Sequence, residues 1–139
     1  MKPKRNRRES REIAFELLFG WSFNEYPPQE MMEHAAQARD LVPDEFTREL
    51  VERVIEHHTE LDAMIESHSE NWKLNRVSRV TLAALRIALC ELKYFDDIPP
   101  GATINEAVEL AKKYGADDEP AYLNGILGSY ARSLPPCTP

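Results

Sequence analysis

The chain has 139 residues and a formal charge of -7 with its histidines neutral, long enough for one domain to bury a core without disulfide support. Cys90 lies in an apolar run and Cys137 in a Pro-rich end, which excludes a disulfide framework and a paired-thiol metal site. No run of about 18 apolar residues occurs, and the basic start leads into acid-containing helical sequence rather than a cleavage site, so a membrane span and an export signal are excluded and the cytoplasm is the expected compartment.

Residues 1–6 read as a flexible basic arm. Residues 1–11 hold Lys2, Lys4, Arg5, Arg7, Arg8 and Arg11 against Glu9, a net of +5 that leaves -12 for the rest of the chain. Such an end suits a polyanion, and the acidic body suits a basic protein. Apolar residues then recur at three- and four-residue intervals throughout, which predicts an all-α chain. The first helix is predicted over about 7–21, stopping near Gly20 and the Tyr26-Pro27-Pro28 break.

On a wheel of about 100° per residue, Ser10, Ile13, Ala14, Leu17 and Trp21 share the buried side of that helix. Arg7 and Arg11 border it, Arg8 follows, and Glu9, Glu12 and Glu16 gather opposite. This sorting predicts a rigid arginine ridge continued by Lys2, Lys4 and Arg5. Arginine suits phosphate because its planar fork donates two parallel hydrogen bonds. Phe15 and Phe19, four apart and outside the main stripe, form either a second core face or an exposed aromatic patch.

A second helix is predicted over about 28–40. Pro43 sits in the first turn of an amphipathic stretch, one helix or two, with Phe46, Leu50, Val54, Leu61 and Ile65 on one face. The polar segment SHSENWKLNRVS divides an N-terminal half, 7–70, from a C-terminal half, 71–134. VTLAALRIALCELKYF is apolar nearly all round, the pattern of a helix at the centre of a bundle, and DDIPPG ends it. Thr103 and Glu106 fit a capping box, Ile104, Ala107, Val108 and Ala111 make a buried stripe, and Gly115 closes the helix. The last helix begins near Asp118 and runs through YLNGILGSYA before a Pro-rich tail, 135–139. Gly125 and Gly128 each cost a helix about 1 kcal/mol relative to Ala, which predicts close approach of another backbone or, as the alternative, a partner contact.

The sequence holds no Gly-rich phosphate loop, nucleophile elbow or zinc-ligand spacing, so no enzyme activity and no cofactor are expected. His58 and Asp62, with His57 nearby, give at most two ligands at helical spacing, short of a four-ligand site, and no metal is expected.

Four segments in order, RRESREIAFELLFGW, ALRIALCELKYFDDIP, INEAVELAKKYG and YLNGILGSYA, resemble the NusB family of bacterial transcription antitermination factors. The resemblance covers essentially the whole chain, with 22–70 matching in helical character alone. It implies about seven helices in two packed three-helix-like halves. It also implies pairing with NusE, a small-subunit ribosomal protein, and recognition by that pair of boxA-like single-stranded RNA. With NusA, NusG and RNA polymerase such proteins support elongation through ribosomal RNA operons. By the same resemblance Arg7, Arg8 and Arg11 contribute to RNA binding. Phe19 lies at the NusE surface, and Asp118 and Tyr122 lie near both RNA and NusE; Phe15, one turn before Phe19, is taken as a partner contact with it. Two departures stand out: Cys90 replaces a common aromatic, and 77–81 lacks an acidic residue often found before ALRIAL. The alternatives are the RNA-docking module of a ribosomal RNA methyltransferase, disfavoured because no Gly-rich cofactor-binding segment follows, and a self-silencing homodimer burying Phe15 and Phe19.

Overall fold

A computed structural model describes residues 6–24, 27–39, 43–69 and 77–133; Lys2, Lys4, Arg5 and the Pro-rich tail lie outside them. The described residues form seven helices and no strand: α1 (Arg7–Asn24), α2 (Pro28–Arg39), α3 (Glu45–Glu56), α4 (His58–Ser67), α5 (Arg79–Tyr94), α6 (Pro100–Tyr114) and α7 (Glu119–Ser133). The all-α expectation holds. None of these helices is long and apolar enough to cross a membrane.

The apolar run forms the axis of the molecule. Residues 83–91 of α5 are all buried, and the helix touches α1, α3, α4, α6 and α7. Its two buried charges are both satisfied from neighbouring helices. Arg86 donates twice at 2.8 Å to Asp62 of α4, and Glu91 accepts from Arg11 of α1. Around α5, Leu50, Val54, Leu61, Ile65, Leu123 and Leu127 are fully buried, each contributing about 1.5–3 kcal/mol of apolar transfer. Burial pushes the Cys90 thiol up to about 12, so Cys90 is a packing residue without thiolate character.

The amphipathic stretch after Pro43 is two helices, interrupted at His57. Asp44 starts the first by accepting from the Thr47 amide at 2.8 Å. The Ser10 hydroxyl donates to the same carboxylate, and the Thr47 hydroxyl donates to the Ser10 carbonyl at 3.1 Å. This cap therefore also fastens α3 to α1. Asp44→Ala is expected to cost about 1–2 kcal/mol, read as a lower urea midpoint with an unchanged native circular dichroism spectrum.

Several expectations need correction. Helix α1 runs past Trp21 to Asn24, since one glycine inside a helix costs only about 1 kcal/mol and does not by itself end it. Thr103 is no cap: α6 starts at Pro100, where proline loses no helical bond, and the buried Thr103 hydroxyl donates to Glu91 at 3.1 Å. Gly115 does close α6, and a Cβ there would lie 2.8 Å from the Ala111 carbonyl oxygen. Gly125 and Gly128, however, face no other backbone among the described residues. Nothing lies within 4 Å of a Cβ at Gly125, and Gly128 meets only the Arg132 side chain, at 3.2 Å. Since Gly125 is exposed in a helix interior, Gly125→Ala is expected to stabilise the free protein by about 1 kcal/mol, seen as a raised melting temperature.

Candidate nucleic-acid interface

The three arginines of α1 stand at three depths. Asn6 starts the helix, its side-chain oxygen accepting from the Glu9 amide at 2.8 Å, so the arginine positions are fixed by a capped first turn. The Arg7 side chain is 50% exposed, 3.8 Å from Asp97, with its guanidinium 4.0 Å from the Phe46 ring centroid. Arg8 is 66% exposed and donates from Nε and Nη2 to the two carboxylate oxygens of Glu106, at 3.1 and 3.0 Å.

Arg11 departs from the predicted ridge: its side chain is only 8% exposed. It gives Glu91 three hydrogen bonds of 2.8–3.1 Å. The helical wheel set it on the border of the apolar face correctly, but Glu91 of α5 draws it inward. Arg11 is thus an internal anchor beneath Arg7 and Arg8.

A shallow recess between α1 and α6 is lined by Arg8, Glu12, Glu106, Glu109, Lys112 and Lys113. At its far end Glu12 accepts from the Lys113 ammonium and the Tyr114 hydroxyl. These two bonds, Lys113's first, hold the Glu12 carboxyl below its usual range. The exposed Lys112 on this rim adds a cation that the sequence reading did not select.

The aromatic residues form a ladder. Phe15 is buried, as in the core alternative of the two its position offered; it stacks on Tyr114 at 5.0 Å and on Phe19 at 6.2 Å between centroids. Phe19 is half-buried and meets Phe23 edge-on at 5.1 Å. Phe23 is 56% exposed, and the Arg79 guanidinium lies 4.2 Å from its centroid while donating to the Ser22 carbonyl at 2.5 Å. Asp118 is exposed in the turn before α7. Tyr122 is half-buried, its hydroxyl 3.1 Å from Ser69 Oγ.

The NusB family model matches residues 8–132, and a transcription antitermination protein NusB from Bacillus velezensis is 42% identical over 123 residues, 88% of this chain and 93% of that protein. The chain belongs to the NusB family. The NusB of Geobacter sulfurreducens is likewise 42% identical, over 93% of this chain and 96% of its own. Among solved structures, T. maritima NusB superposes with a TM-score of 0.80 at 34% identity, covering 96% of each chain. A chain in the crystal structure of antitermination factors NusB and NusE with double-stranded RNA superposes with a TM-score of 0.81 at 26% identity, over 92% of this chain and 97% of that one.

Within this NusB fold, two further features were not read from the sequence. Phe23 continues the four-residue spacing of Phe15 and Phe19, but the predicted helix stopped before reaching it. The stretch at 77–81 acquires a carboxylate from α7: Glu119 accepts from Ser78 at 2.6 Å and from the Thr81 hydroxyl. Partial burial pushes the Glu119 carboxyl up, but these bonds outweigh it and leave it below its usual range. Among the described residues no group of three metal-ligating side chains occurs; Asp62 is engaged by Arg86, and His58 Nδ1 lies 2.8 Å from the Ile55 carbonyl.

Proposed function

We propose that this NusB-family chain is a transcription antitermination factor that binds a boxA-like single-stranded RNA together with NusE, through Arg7, Arg8 and the basic arm of Lys2, Lys4 and Arg5. Its function is binding, without catalysis. The observation that carries this reading is the pair of adjacent exposed arginines at the capped start of α1, a helix that the buried Arg11–Glu91 pair anchors to α5 one turn further on. The partner surface is the Phe19 and Phe23 patch with Asp118. Here Phe15 acts from below, by supporting Phe19. Tyr122 lies close enough to the start of α7 to contribute to the RNA side, and the acidic body suits a basic ribosomal protein. Action with NusA, NusG and RNA polymerase in the cytoplasm follows from the same reading.

A salt titration of RNA binding tests it. With about four phosphates neutralised on single-stranded RNA, the log-log slope should lie near -3. An affinity independent of salt would overturn the electrostatic reading. The exposed Phe23 also favours a second assembly, a homodimer through the same patch; light scattering should then show a dimer that dissociates when NusE is added.

A further inference from the structure

The arginine nearest the recess is held by a carboxylate that belongs to a different helix. Glu106 is well covered, with a side chain 18% exposed against 66% for Arg8. The two bonds between them engage Nε and Nη2 of the guanidinium, and an arginine has five N–H donors, so the two on Nη1 and the second on Nη2 remain outside this pairing.

The position of Glu106 is itself fixed. It lies one helical turn beyond Thr103, whose hydroxyl donates to Glu91 at 3.1 Å, and Glu91 receives the Arg11 guanidinium. α1 and α6 are therefore clamped at two levels, Arg11–Glu91–Thr103 inside and Arg8–Glu106 at the rim. The neighbouring cations are held differently: Arg7 approaches Asp97 only to 3.8 Å and lies over the Phe46 ring, Lys112 approaches Glu109 to 3.5 Å on its own helix, and Lys113 is paired with Glu12 at the far end of the recess.

We propose that Glu106 is a positioning residue for RNA binding, holding Arg8 side-on so that the remaining donors of its guanidinium meet a phosphate without first searching for a conformation. The inference rests on the RNA-binding reading of Arg8 above. A competing role, in which Glu106 merely blocks Arg8 until RNA displaces it, fits the burial less well. Displacement would leave a largely covered carboxylate without its partner, which is costly, whereas sharing the guanidinium leaves both anions satisfied. The hydrogen bond from Arg8 to Glu106, followed by Coulombic attraction, raises the Arg8 pKa above its usual value, consistent with a pair that persists. Holding a long side chain in one geometry before binding removes an ordering cost that association would otherwise carry.

The test compares wild type, Arg8→Ala, Glu106→Gln and the double variant, each with NusE present, by anisotropy of labelled boxA RNA over a salt series. Arg8→Ala should weaken binding about tenfold, Glu106→Gln about threefold or more, and the double variant no further than Arg8→Ala, because neighbours acting on one contact are not additive. The Glu106→Gln slope should also become shallower by up to about 0.7, the value of one lost phosphate contact; a purely structural role would leave it unchanged. NusE affinity and thermal melting report whether either variant has disturbed the fold, and Glu106→Ala provides a second truncation with the same expected coupling. If Arg8→Ala weakens binding while Glu106→Gln binds as tightly as wild type or tighter, Glu106 does not position Arg8, and the RNA reading still stands. If Arg8→Ala itself has no effect, the reading of Arg8 fails and takes this inference with it.

Discussion

Glu91→Ala should destabilise the protein by about 3–5 kcal/mol, the magnitude for breaking a buried ion pair by removing one partner. Glu91 is 1% exposed and closes three helices together, accepting three bonds from Arg11 of α1 and one from Thr103 of α6. Truncating it strands the Arg11 guanidinium and the Thr103 hydroxyl where little water reaches them. The loss should therefore exceed that of a surface pair, which is worth about 0–1 kcal/mol. Replacing both partners by apolar residues, Arg11→Met with Glu91→Leu, should recover most of the stability, since desolvation of two charges is removed along with their attraction. Urea denaturation of the three proteins decides the matter. A Glu91→Ala variant within about 1 kcal/mol of wild type would mean that the buried pair does not hold α1 against α5.

Arg7→Ala with Arg8→Ala carries the largest expected effect on RNA. Each charged hydrogen-bonding contact is worth about 1.5–3 kcal/mol, so losing two should weaken binding at low salt by on the order of a hundredfold or more. The salt slope should move from about -3 toward about -1.5 as two phosphate contacts disappear. Stability should change little, because both side chains are at least half exposed and their ion pairs lie at the surface. Arg11→Ala belongs to a different class. It would lower stability through Glu91, so a variant combining all three substitutions would mix a folding defect with a binding defect. Wild-type affinity in the double variant, measured by anisotropy, would remove Arg7 and Arg8 from the interface.

Much of this was legible in the chain. The run from Val80 to Phe95 showed its central place because it offers no polar face, and the prolines at 27, 28, 99 and 100 marked breaks that the helices respect. The apolar side of α1 was placed residue by residue. Arg11 was misjudged because a wheel gives an angle, whereas depth depends on what faces that angle from another helix. Glu91 was the clue: a buried acid needs a cation, the one in its own run, Arg86, points to Asp62 of α4, and Arg11 on the apolar border of α1 could supply the other. The choice between core and patch for Phe15 stayed open in the sequence for a related reason. Tyr114, far away in sequence, covers its ring. The Thr103–Glu106 pattern has the residues of a capping box, but Pro100 can begin the helix earlier and does so. The cap of α1 is Asn6, whose side-chain oxygen accepts from the Glu9 amide and whose side-chain nitrogen donates to the Glu9 carboxylate; it lies at the edge of the basic arm, one residue before the predicted start of the helix.

The most direct test is anisotropy of labelled boxA RNA against a scrambled RNA of the same composition, each with and without NusE, at one fixed salt concentration. Binding through Arg7 and Arg8 in partnership with NusE predicts tighter binding to boxA than to the scrambled RNA, and a further gain for boxA when NusE is added. Equal affinity for the two RNAs in both conditions would contradict it.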